Sequence, residues 1–332
     1  MNIITLITWN VGGSKLFKAP FQERLDKKLA INNDVNHLID RFKPEIILFQ
    51  EVIKYEENGT YQEFISEHPD YYYQSFIAIN THHHNHPRKW QAIRRIGQWP
   101  TSAYLGQGNG IMWKKELLHA LLWEPDPSKA KQGSILERNE VRIDTGERGL
   151  FNGDRDTEPR LAVVSKFIIN QRELCIVNLH MTTLKGERED LPNRDDLAST
   201  IRMKQVDIVL NGIVSRYNEW KRTQEITYPT IWILGGDFNA QPDSPEIQKL
   251  HRMNFIDLCT EKGKGSKCRV NTDKPLITVD YLFAGMKHSS FDPFDPSDIS
   301  LNLLKKTPIY EIISSDHYPL VGQFPLNTFR ST

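Results

Sequence analysis

The chain is short of several things, and each shortage removes a class of function. Lysine and arginine together number 42, as do aspartate and glutamate, so the formal net charge is zero. There is no global positive field of the kind that gathers polyanions around many nucleic-acid binders, although a local basic patch is still allowed. Only three cysteines occur, Cys175, Cys259 and Cys268, widely spaced. They supply neither a disulfide framework nor a zinc site, and their odd number points to a reducing compartment. No stretch approaches the roughly 18 apolar residues a membrane span needs. The opening MNIITLITWNVGG is apolar only briefly and lacks the basic segment of a secretory signal. The expectation is a cytoplasmic protein without a membrane span.

What is present is ordinary in bulk: 39% apolar and 25% charged residues over 332 positions, enough to bury a sizeable core. No repeat, low-complexity tract or linker interrupts it. We expect one domain over residues 1–332, with an irregular insertion at about 80–158.

Local patterns place the elements. Ile3 to Trp9 is rich in β-branched residues and ends at Asn-Val-Gly-Gly, which predicts a buried strand presenting Asn10 at its end. Leu25, Leu29, Val35, Leu38, Ile39 and Phe42 follow helical spacing over 22–42, and Pro44 ends that helix. Glu45 to Phe49 predicts a second strand, ending at Gln50-Glu51. Strand, helix, strand in this order indicates an α/β sandwich core. Further strands are expected over 160–169, 173–178, 231–234, 278–283 and 318–324, with a strand pair around Gly106 to Gly110 and a long amphipathic helix over 195–221.

Polar clusters recur within or at the ends of these short strands: Asn10, Gln50-Glu51, Asn178-Leu-His180, Asp237-Phe-Asn239, Asp280 and Asp316-His317. Taken singly, each has a bland explanation. Asp237 and Asn239 beside Gly-Gly could cap a turn, Asp316 could cap a final turn, and His180 could be a satisfied core histidine. Taken together, strand ends on one edge of a sheet can converge, and α/β proteins bind ligands there. Oxygen donors from Glu51, Asp316, Asn10 and Asn239 suit a hard ion such as Mg²⁺ or Mn²⁺. Histidines near neutral pKa can donate to phosphoryl oxygens or move protons. The absence of an HExxH pattern argues against a zinc hydrolase.

The ordered set TWN, LFQE, NLH, GGDFN, VDYLF and SDH resembles the endonuclease/exonuclease/phosphatase superfamily, over residues 5 to 324. That resemblance implies a four-layered α/β sandwich, two packed mixed β-sheets flanked by helices, and metal-dependent hydrolysis of phosphoesters. It implies Glu51 as principal metal ligand with Asn10 and Asp316 nearby, and Asp237 as the group that orients or deprotonates water. Asn239 would hold the phosphate or metal. His317, paired with Asp280, would contact a phosphoryl oxygen, and His180 would be a second histidine. Arg160 and Asn178 complete the expected set at the substrate phosphate, Asn178 also bracing the site. Gly12 departs from family nucleases that carry an aspartate there.

For substrate, Thr278-Val279-Asp280-Tyr281 resembles the nuclease branches rather than the Trp-Cys-Asp-Arg of inositol phosphatases. LFQEVI and the Arg202–Gln205 spacing resemble tyrosyl-DNA phosphodiesterases. The run from His82 to Trp99 interleaves Arg88, Lys89, Arg94 and Arg95 with Trp90 and Trp99. Such a mixture suits backbone phosphates and stacked bases, or else a solvated loop over buried tryptophans. Nucleic acid is the expected substrate, with no obligate protein partner. The alternatives are a small-molecule or lipid-headgroup phosphoesterase and an inert binding module.

Overall fold

The computed structural model describes residues 2–81, 93–100, 102–117, 140–143, 160–169, 172–183, 194–223, 230–258, 277–285, 305–308, 312 and 314–326. Two mixed sheets form the centre. The first holds β1 (Asn2–Asn10), β2 (Ile46–Glu57), β3 (Thr60–Glu63), β4 (Tyr71–Asn80), β5 (Leu105–Lys114), β12 (Lys305–Pro308) and β13 (Leu320–Leu326), in the order β12-β13-β1-β2-β5-β4 with β3 on β2. The second holds β6 (Glu140–Arg142), β7 (Leu161–Ile169), β8 (Arg172–His180), β9 (Thr230–Asp237), β10 (Ile256–Asp257) and β11 (Asp280–Gly285), in the order β10-β11-β9-β8-β7-β6. Among these pairs, β1–β2 and β8–β9 are parallel.

Strand periodicity sorts the residues into layers. Ile4 and Leu6 of β1, Ile46 and Leu48 of β2, Leu174 and Ile176 of β8, and Ile231 and Ile233 of β9 meet in the core between the sheets. The alternate residues face outward. Ile7, Trp9, Ile47 and Phe49 pack against Ile31, Val35, Leu38 and Ile39 of helix α2 (Phe21–Phe42). On the far side, Val177, Trp232, Leu234 and Phe283 pack against Val206, Leu210, Ile213, Tyr217 and Leu250. Those side chains come from α3 (Arg194–Asp207), its continuation, and α5 (Pro245–Arg252). Helix, sheet, sheet, helix is the four-layered sandwich.

The inner faces also change character along their length. Ile4-Leu6 gives way to Thr8-Asn10, Ile46-Leu48 to Gln50, Leu174-Ile176 to Asn178-His180, and Ile231-Ile233 to Gly235-Asp237. Read in reverse along the antiparallel β11, Ala284-Leu282 gives way to Asp280. The sandwich is therefore apolar through its body and polar at one end, with the turnover at the same level in both sheets.

Several boundaries differ from the sequence reading for local reasons. β2 does not stop at Glu51: it bulges there, with Glu51 at φ 55°, and continues to Glu57 paired with β5 and β3. The last strand starts at Leu320, after Pro319, which has no N–H to give the ladder. The expected single helix over 195–221 is α3, a π-helical stretch at Ile208–Ser215, then α4 (Arg216–Thr223). Within that stretch Ser215 Oγ donates to Leu210 O at 3.0 Å, five residues back. Of the irregular region expected at 80–158, β5 lies inside the first sheet between β2 and β4. Residues 105–106 and 108–112 are thus buried. None of the helices among the described residues is long and apolar enough to cross a membrane.

Candidate active site

Register brings the polar residues together. In the second sheet His180 lies beside Asp237, and Asp237 lies opposite Asp280, so three strands offer one continuous row. In the first sheet Asn10 lies beside Gln50, and Gln50 opposite Asn109. The two rows face each other across the polar end of the sandwich.

Asp237 is the hub. Its Oδ1 accepts the backbone N–H of Asn239 at 2.8 Å, and its Oδ2 accepts Asn10 Nδ2 at 2.9 Å. The same oxygen lies 3.8 Å from His180 Nε2 and 3.7 Å from His317 Nε2. Asp237 is only 1% exposed, so these partners define its environment. Gly236 lets the strand end this way. At φ 140° it occupies a region L side chains avoid, and a Cβ there would lie 1.9 Å from Leu179 O. Asn239 holds the next turn at φ 50°, donating from Nδ2 to Met181 O at 3.0 Å. Tyr281 donates to Ala240 O at 2.9 Å. Burial, with Asp257 and Asp280 near, pushes that phenol far up from its ordinary range, so it stays a neutral donor.

His317 forms a carboxylate–imidazole pair. Its Nδ1 lies 2.8 Å and 3.0 Å from the two oxygens of Asp280, leaving Nε2 turned toward Asp237. Trp9 Nε1 donates to His317 O at 2.9 Å, and Ser315 Oγ donates to Asn10 O at 2.8 Å. Two residues outside the expected set, Trp9 and Ser315, therefore tie the first strand to the last loop. Both lie inside the TWN and SDH motifs, but nothing in their type signalled the contacts.

Glu51 sits on its bulge with Oε1 3.4 Å from Asn10 Nδ2 and 3.9 Å from His180 Nε2. The Asn10 amide nitrogen thus spans Glu51 and Asp237, while its oxygen accepts Gly12 N–H at 2.9 Å. Asn10, expected as a metal ligand, holds two carboxylates in this arrangement. Asp316 is tied by Oδ2 to Lys15 Nζ at 2.9 Å.

His180 is approached by Arg160, whose Nη1 lies 2.9 Å from Nδ1 and 3.1 Å from Nε2. A guanidinium only donates, so at least one ring nitrogen accepts. His317 thus has a carboxylate at hydrogen-bond distance, whereas His180 has a guanidinium there, with the Asp237 and Glu51 carboxylates farther off at 3.8 Å and 3.9 Å. Asn178, expected at the substrate phosphate and as a brace of the site, makes bracing contacts in this structure. It is fully buried, donates to Phe49 O at 3.0 Å and Gly110 O at 2.8 Å, and accepts Gln50 Nε2 at 2.8 Å. All of its amide groups join one sheet to the other.

The Arg202–Gln205 spacing has a structural meaning. Gln205 accepts Thr182 N–H at 3.0 Å and donates to Thr182 Oγ1 at 2.9 Å, fixing the chain just after His180. Arg202 Nε donates to Glu246 at 2.5 Å, joining α3 to α5, and Ser199 donates to the other Glu246 oxygen at 2.6 Å.

The basic and aromatic run is described only from residue 93 onward; 82–92, with Arg88, Lys89 and Trp90, lie outside the described residues. Trp99 donates to Phe17 O at 2.7 Å, packs edge-on to Tyr55 and carries Arg24 over its ring at 3.8 Å. Arg94 donates to Ala103 O at 2.8 Å. In this part, packing accounts for the aromatic and for one arginine; Arg95 is exposed.

The donor set fits a hard divalent ion. Glu51, Asp237 and Asp280 are carboxylates crowded at one buried end, and such charges persist in low dielectric only with cations or hydrogen bonds beside them. Asp237, Asp280 and His317 also offer ligand atoms within 4.8 Å of one another and could hold a metal ion.

The fold recurs in solved structures. An endonuclease/exonuclease/phosphatase from Bacteroides vulgatus matches with a TM-score of 0.53 at 14% identity, covering 98% of this chain and 100% of that one. A family protein from Leptotrichia buccalis matches at 0.52 and 15% identity, over 97% and 100%. An AP endonuclease from Leishmania major matches at 0.51 and 12% identity, over 98% and 88%. Comparison with curated protein sequences finds no match. The Endonuclease/Exonuclease/phosphatase family model matches residues 7–317, from the strand before Asn10 to His317 itself, and the chain belongs to that family.

Proposed function

We propose that the protein is a Mg²⁺- or Mn²⁺-dependent phosphodiesterase that hydrolyses phosphodiester bonds in nucleic acid. The observation that carries this reading is the juxtaposition at one end of the sandwich. Asp237 lies within 4 Å of Asn10, His180 and His317, with Glu51 on its bulge beside them. Phosphodiester hydrolysis needs a charge-neutralising ion, an aligned water and stabilised phosphoryl oxygens, and these carboxylates, amides and imidazoles are of the kinds that would hold each.

In this reading Glu51 is the ion's main ligand, helped by Asp316. The bound ion would neutralise phosphate charge and favour attack by water. Asp237 orients that water and takes its proton, and its hydrogen bonds from Asn10 and Asn239 fix the carboxylate for the task. His317 presents Nε2 to a phosphoryl oxygen while Asp280 holds Nδ1. Arg160 and His180 present a cation and an imidazole from the other side. Asn239 steadies the turn that carries Asp237. Cytoplasmic residence belongs to the same proposal, on the strength of the three scattered cysteines.

A second reading, hydrolysis of a small-molecule or lipid-headgroup phosphoester, draws support from the zero net charge and from the packed roles of Trp99 and Arg94. A substrate panel separates the two. Plasmid, single-stranded oligonucleotide, RNA, phosphorylated inositols and sphingomyelin would be assayed with Mg²⁺ or Mn²⁺, using Glu51→Gln as the blank. Turnover of inositol phosphates or sphingomyelin, with none on DNA or RNA, would reject the nucleic-acid reading.

A further inference from the structure

We propose that Lys15 is a built-in cation that takes up Asp316 and restricts the acidic end of the sandwich to a single divalent ion. This deepens the metal-dependent reading above and rests on it.

The geometry begins at Gly12 and Gly13. Gly13 presses on the Glu51 bulge so closely that a Cβ would lie 2.0 Å from Glu51 O. That contact seats the short helix α1 (Gly13–Leu16) beside Glu51. Gly12, at φ 64°, faces the last loop, where an added Cβ would lie 3.3 Å from Asp316 Oδ1 and 3.2 Å from Ser315 Oγ. A side chain at position 12 would reach toward Asp316, and the chain has none to offer.

One turn of α1 then brings Lys15 Nζ to 2.9 Å from Asp316 Oδ2. The Lys15 side chain is 54% exposed and that of Asp316 is 15% exposed, so the ammonium lies at the rim and the carboxylate inside it. An exposed pair of this kind adds little to stability. Its electrostatic consequence at the site is larger, because a positive charge beside a carboxylate ligand opposes a second dication there. Position 12 contributes no negative charge, and Lys15 offsets the one that Asp316 provides.

The test counts Mn²⁺, by calorimetry and by the electron-paramagnetic signal of unbound Mn²⁺, with activity not needed. Wild type should bind one Mn²⁺ per chain. Lys15→Met should bind a second Mn²⁺. The double variant Lys15→Met/Asp316→Asn should lose that gain, and circular dichroism would check that each variant is folded. Two ions of similar affinity in wild type, or a single ion in Lys15→Met, would overturn the proposal while leaving metal dependence intact. No Mn²⁺ bound to folded wild type would overturn both.

Discussion

Asp237 and Asp280 sit directly opposite each other on antiparallel strands, yet each carboxylate is turned to a different partner. Asp237 receives Asn10 and the Asn239 backbone, whereas Asp280 gives both oxygens to His317 Nδ1. Two acids at one level of one sheet are thereby separated by their partners: one is held by amide donors between two histidines, and the other orients an imidazole.

Asp280→Asn tests that division. The amide keeps the shape but removes the charge behind His317, and turnover should fall by roughly 10²-fold with KM little changed. The same substitution at Asp237 should be at least as damaging. Steady-state kinetics on whichever substrate the panel identifies would show it, and an Asp280→Asn enzyme with wild-type kcat would refute the pairing as functional.

Asn178→Ala separates a brace from a substrate contact. It strips two backbone carbonyls of a side-chain donor and Gln50 of one of its two acceptors, which should cost about 2–3 kcal/mol in a urea melt. KM of the protein that remains folded should not move. Arg160→Ala is expected to do the reverse, raising KM with a smaller stability loss. A Asn178→Ala enzyme with weakened substrate binding and unchanged stability would return Asn178 to the phosphate.

Gly236→Ala should be costly although it adds one methyl. The Cβ would meet Leu179 O at 1.9 Å in a backbone conformation unfavourable for alanine, so we expect ~2–4 kcal/mol of destabilisation. Activity should also drop, because Asp237 is the next residue. Denaturant unfolding and kinetics on the same preparation would test both.

Arg202→Met should leave Glu246 buried without its cation, costing ~3–5 kcal/mol. Arg202→Met/Glu246→Met should recover much of that loss, since it is the uncompensated charge that is costly. Additive losses in the double-mutant cycle would show that the two side chains are not coupled.

Much of the fold, and the meeting of polar residues at the strand ends, could be read from the chain because both follow from period-two patterning. The inner-face series Ile4-Leu6-Thr8-Asn10 and Ile231-Ile233-Gly235-Asp237 states in sequence where each strand becomes polar. Contacts that depend on register across distant strands were not legible. Asn178 looks the same in sequence whether it faces substrate or the opposite sheet, and its contacts to Phe49 and Gly110 appear only in the fold. Glu51 reads as a strand end, because a bulge depends on what the partner strand does. Lys15 is one lysine among many until α1 is seated against Glu51. Trp99 and Arg94 look like a nucleic-acid motif because aromatic and basic residues serve packing and stacking alike.

The most direct measurement of the central claim is hydrolysis of a simple phosphodiester, bis-p-nitrophenyl phosphate, by wild type, Glu51→Gln and His317→Ala, with Mg²⁺ or Mn²⁺ and with chelator. The account predicts turnover by wild type with the ion, none with chelator, and losses of about 10²–10³-fold or more in both folded variants. Undiminished hydrolysis in chelator, or by Glu51→Gln, would contradict it.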